Sequence, residues 1–83
     1  MNIYVGNLDF KVEESDLENA FGEFGAVSDC KIIIDRYNGR SKGFGFITME
    51  DQEAGENAIN QLNGTMLKSR EIVVNEAKPR KEF

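Results

Sequence analysis

The sequence contains no histidine and a single cysteine, Cys30. Those shortages remove intrachain disulfides, the usual zinc-ligand constellations and the commonest general base of enzyme catalysis. Proline occurs once and glycine eight times in 83 residues, which is neither a fibrous composition nor a low-complexity linker. A chain of this length makes one domain with one core. Long apolar runs are missing as well. No stretch approaches a membrane span, and the opening residues, MNIYVGNLDF, lack the basic region and apolar segment of a secretory signal. The expectation is a cytoplasmic protein that enters no membrane and holds no metal or cofactor.

What is present is charge, unevenly spread. The net charge is −5, which by itself argues against a polyanionic partner. Residues 13–29 carry six acids and no base, and residues 50–63 carry four acids and no base. The bases gather elsewhere: Lys31, Arg36, Arg40 and Lys42 stand against Asp35 alone in residues 30–49, and five bases stand against three acids in residues 64–83. If helices and strands occupy different faces, this is a dipolar domain.

The apolar pattern supports that separation. NIYVGNL alternates Ile3 and Val5 with Tyr4, a short strand closed by turn residues. Leu17, Ala20, Phe21 and Phe24 recur at helical spacing, with Gly25 where the helix would stop. Its start is open between a capping box at Ser15 and Glu18 and the acidic pair Glu13-Glu14. VSDCKIII reads as a second strand, and the Asn38-Gly39 turn signal leads into a third, KGFGFITM. A second helix buries Ala54, Ala58, Ile59 and Leu62, ends near Gly64, and carries Gly55 at a cost of roughly 1 kcal/mol against alanine. REIVVNEA alternates Ile72 and Val74 with Val73 and Asn75 as a last strand. The order is strand, helix, strand, strand, helix, strand. That is the α+β, ferredoxin-like split βαβ plan, a four-stranded antiparallel sheet with two helices on one face.

This plan decides where the octamer KGFGFITM points its rings. Side chains alternate along a strand, so Phe44, Phe46 and Thr48 share one side, and Gly45, Ile47 and Met49 the other. The octamer alone leaves a strand buried on both faces equally open. With both helices on one side, Ile3, Val5, Ile47 and Met49 meet them, and Tyr4, Phe44 and Phe46 gather on the open face. Neighbouring aromatics left in solvent mark a binding surface.

These residues resemble the RNA recognition motif family. Its octamer is similar to Lys42-Gly43-Phe44-Gly45-Phe46-Ile47-Thr48-Met49, departing at Ile47 and Met49 on the core-facing row. The family's hexamer is similar to Ile3-Tyr4-Val5-Gly6-Asn7-Leu8 without departure. The likeness extends through DLENAFGEFG, AINQLNG and IVVNEAKPR, giving a domain over residues 1–78 and a short basic and polar tail over 79–83. Within the family the chain looks like small single-domain bacterial and plastid-type members. The resemblance implies stacking: Tyr4 takes one base, Phe46 the next, Phe44 lies against the sugars, and Lys42 pairs with a phosphate. It also brings Asn7, Lys31, Arg40, Asn75, Lys78 and Arg80 into the site, Lys31 and Asn75 by their parity on the outer strands, Arg40 from the hairpin loop, Lys78 and Arg80 from the segment crossing the sheet edge. Gly45 on the inner face is expected to let a helix approach.

The implied partner is single-stranded RNA, with single-stranded DNA as the alternative strand, bound by a monomer that is not an enzyme. A protein-interaction module of the same fold is the competing reading; loss of the sheet aromatics usually accompanies that use, and all three are present. An acylphosphatase would need an arginine-bearing phosphate loop after the first strand, where VGNLDFKV offers only Asn7 and Lys11. The sequon Asn63-Gly64-Thr65 reads as a helix stop, Cys30 as an inert buried thiol, and Glu13-Glu14 as a solvated helix start.

Overall fold

The computed structural model describes residues 1–39 and 41–77; the side chains of Ser41 and Lys42 lie outside that description, as do Arg40 and residues 78–83. The elements run β1 (Asn2–Gly6), α1 (Glu14–Gly22), β2 (Val27–Ile34), β3 (Ser41–Met49), α2 (Gln52–Leu62), β4 (Met66–Leu67), β5 (Arg70–Glu71) and β6 (Val73–Glu76). A four-stranded sheet in the order β2-β3-β1-β6 pairs antiparallel throughout. β1 and β3 hold its centre.

The alternation seen in the sequence is the alternation of burial. Ile3, Val5, Ile47, Met49 and Val74 are removed from solvent and pack with Leu17 and Phe21 of α1 and Ala54 and Ala58 of α2. Ile59 and Leu62 are half-buried at the margin of this core. Helix α1 starts at the earlier of its two candidate positions. Glu13 caps it, with the Glu13 N–H donating to Asp16 Oδ2 at 2.8 Å. The helix ends at Gly22, three residues before the predicted stop, yet Phe24 still packs on the core. In α2 the predicted cost of Gly55 is offset by a contact: a Cβ there would run into Met1 Sδ. The glycine lets the residue before β1 close the sheet against the helix.

The segment REIVVNEA is not one strand. Arg70 and Glu71 pair with Leu67 and Met66 in a separate two-stranded ribbon, and β6 begins only at Val73. The backbone of Ile72 decides this. Its N–H donates to the Thr65 carbonyl and its carbonyl accepts from Gly64 N–H, both at 2.9 Å, so it is engaged by the turn after α2 before the strand can join β1. Asn63 completes the join, its Oδ1 accepting from Val74 N–H at 2.9 Å.

Candidate nucleic-acid interface

Strand register lines up the open face. Lys31 of β2 stands opposite Phe46 of β3, Phe46 opposite Tyr4 of β1, and Tyr4 opposite Asn75 of β6. Four side chains picked out in the sequence therefore form one transverse row. Two apolar groups sit in its middle, a cation at one end and an amide at the other. Phe44 joins Tyr4 and Phe46 to close a triangle of rings. Centroids are 6.1 Å apart for Tyr4 and Phe44, 5.9 Å for Tyr4 and Phe46, and 6.1 Å for Phe44 and Phe46. The Tyr4 and Phe44 planes lie within 29° of each other, while Phe46 stands nearly upright to Phe44 at 86°. Phe46 keeps 40% of its surface in water. It is the ring a ligand meets first.

Backbone space makes the platform. Gly6 follows Tyr4 on the same face, and a Cβ there would lie 2.8 Å from two Tyr4 ring carbons and closer still to the hydroxyl. Glycine at this position lets the tyrosine lie down along β1. Gly45 serves a neighbouring strand rather than a helix: its missing Cβ would meet the Lys31 carbonyl oxygen at 2.5 Å, at the point where β2 and β3 press together. The charge separation is also less complete than the sequence implied. Nine of the ten clustered acids lie in or beside the helices, whereas Asp29 pairs with Thr48 and belongs to the open face at the far end of the sheet.

Of the other predicted residues, Asn7 lines a groove beside Tyr4 and Phe44. Asn7, with φ at +56°, is exposed and turns its amide to the β4–β5 ribbon: Nδ2 donates to the Glu71 carbonyl at 2.6 Å, and Oδ1 accepts from Arg70 Nη2 at 3.0 Å. Lys42 lies on β3, but its side chain, together with Arg40, Lys78 and Arg80, is outside the described residues. Cys30 pairs with Ile47 toward the core but is only half-buried, its thiol donating to the Glu14 carbonyl at 3.5 Å. Burial, and then the carboxylates of Glu18, Glu14 and Asp29, push its pKa up to about 11.

Three contributors escaped the sequence reading: Gly6, Phe10 and Arg70. Phe10 leaves 66% of its surface in water, and Arg70 lies with it along a groove that continues from Tyr4 and Phe44. The one available signal was an aromatic residue just past the first strand that fits neither helix stripe. Asp9, beside Phe10, is buried; the Ser69 hydroxyl and the Lys11 N–H donate to its carboxylate and hold its pKa below the ordinary value.

Known proteins resemble the chain in sequence and in fold. The "29 kDa ribonucleoprotein, chloroplastic" of Arabidopsis thaliana is 49% identical over 78 residues, a match covering 94% of this chain and 23% of that protein. The chain thus spans less than a quarter of that relative's length. RbpE of Nostoc sp. is 44% identical, with 99% of this chain and 83% of that one covered. The crystal structure of RNA binding protein PG1 superposes with a TM-score of 0.92 at 45% identity over 99% of each chain. The pattern of the family described as RNA recognition motif matches residues 3–73, both ring-bearing central strands included. With family pattern, sequence relatives and fold in agreement, the chain belongs to the RNA recognition motif family.

Proposed function

We propose that this chain binds single-stranded RNA on the open face of its sheet. The observation that carries the reading is the row Lys31–Phe46–Tyr4–Asn75, with Phe44 completing a ring triangle no wider than 6.1 Å on any side. An unpaired base has two apolar faces and a polar edge. A flat aromatic surface takes the faces whatever the base, and polar groups at the margins reach edges and phosphates. Duplex RNA hides the same faces in its own stack. On this reading the chain acts by binding alone, as a monomer in the cytoplasm of a bacterial cell. The family and the relatives' names support the RNA ligand.

Selection from a random single-stranded RNA pool, with a DNA copy of the winning sequence as comparator, tests it. RNA is expected to bind more tightly than its DNA copy, and Phe46→Ala should weaken RNA binding by about 1 to 3 kcal/mol with the fold retained. Enrichment of no sequence, together with indifference to Phe46→Ala, would reject the assignment.

A further inference from the structure

The aromatic platform does not end where the sheet does. Past the C-terminal end of β1, a groove of about 420 Å³ shares Tyr4 and Phe44 with it and runs between the β1–α1 loop and the β4–β5 ribbon. Phe10 lines it from the loop, and Arg70 lines it from the ribbon. The size is that of a small-ligand site, and the lining combines aromatic surface with a charged donor.

The exposed Arg70 side chain is tied to the β1–α1 loop by one hydrogen bond, and its two neighbours tie the ribbon to the same loop. Asn7 Oδ1 accepts from Arg70 Nη2 at 3.0 Å, and the next residue, Glu71, gives its carbonyl to Asn7 Nδ2 at 2.6 Å. The residue before it, Ser69, donates its hydroxyl to the buried Asp9. A guanidinium has five N–H donors in one plane, and Asn7 takes one of them. A planar fork oriented by such a bond is suited to directional hydrogen bonding more than a point charge is. Phe10 is the other half of the feature. An exposed ring 66% open to water at the lip of this groove offers a stacking face outside the sheet.

We propose, building on the RNA-binding reading, that this groove takes one further nucleotide, its base against Phe10 and its acceptor edge on Arg70, with guanine preferred. The arginine fork matches the O6 and N7 acceptors of guanine, the specific pairing arginine makes most often. A phosphate also accepts such a fork. The aromatic lining favours the base.

The test uses the full chain and heptauridine strands carrying one guanine or one adenine at each successive position. Guanine should be favoured at one position only, by about 5- to 150-fold, the range expected of a well-formed bidentate pair. Arg70→Ala should abolish that preference while the slope of log K against log salt stays unchanged. Phe10→Ala, a change at an exposed ring, should weaken the guanine-bearing strand by roughly 5- to 150-fold. A preference that survives Arg70→Ala overturns the inference. So does a slope shallower by about 0.7, which would make Arg70 a phosphate contact. Binding that Phe46→Ala destroys and neither groove variant touches overturns the groove alone. Absence of binding by the unaltered chain overturns the RNA reading and the groove with it.

Discussion

At the scale of single residues, neighbours one position apart serve opposite ends. Phe46 faces water and Ile47 is wholly buried against the helices. Ile47→Ala should therefore cost roughly 2 to 5 kcal/mol of stability through the cavity it leaves, while Phe46→Ala should cost little stability and most of its effect should appear in binding. Thermal melts ranking the two in the reverse order would contradict the assignment of faces. Cys30 shows how burial and charge act together on one atom. Its thiol is pushed up to about 11 by desolvation first and three carboxylates second. The thiolate is the reactive form, so labelling of the native protein near pH 8 should run roughly two orders of magnitude slower than for free cysteine, and denaturant should restore the ordinary rate. Fast native labelling would shift the register of β2.

At the scale of elements, the β4–β5 ribbon and the β1–α1 loop depend on each other. Asp9 is their tie, accepting from Ser69 in the ribbon turn and from Lys11 in its own loop. Its carboxyl is held below the ordinary value, chiefly by the Ser69 hydrogen bond. A depressed native pKa means stability that is complete above the unfolded value and lost as pH falls through the native one. The melting difference between the unaltered chain and Asp9→Ala should be level above about pH 5 and shrink toward zero below the carboxylate range. A difference that persists into strong acid would make Asp9 a matter of shape instead of charge. Because the same loop and ribbon carry Phe10 and Arg70, Asp9 also bears on the groove.

At the scale of the whole molecule, a net charge of −5 and a nucleic-acid ligand are reconciled by placement. Most acids lie with the helices behind the sheet, and the bases on the side of the rings, Lys31 among them, are few. So few cations should neutralise about two to four phosphates, giving a slope of log K against log salt of roughly −1.5 to −3. Stacking carries the remainder and is insensitive to salt. Duplex RNA should bind poorly, since it presents phosphates to an acidic protein and hides its bases. A much steeper slope, or tight duplex binding, would locate the affinity on a basic surface away from the rings.

The sequence by itself determined the faces. Parity along a strand is fixed by backbone geometry, so Tyr4 against Ile3 and Val5, and Phe46 against Ile47, could be assigned before any tertiary contact was known. The helix stripes set by Leu17, Phe21, Ala54 and Ala58 were legible for the same reason. Tertiary structure decided what depends on which distant segments meet. The ribbon exists because Ile72 finds its backbone partners at Thr65 and Gly64, a choice that the uninterrupted β pattern of REIVVNEA conceals. Gly6 matters because the Tyr4 ring lies over it, and Gly45 because β2 presses on β3 there. Arg70 joins the platform through Asn7, 63 residues away in the chain. Local pattern states which side of an element a residue takes. Only the packing of elements states which remote side chain waits on that side, since contact across the fold is set by pairing and register and not by spacing along the chain.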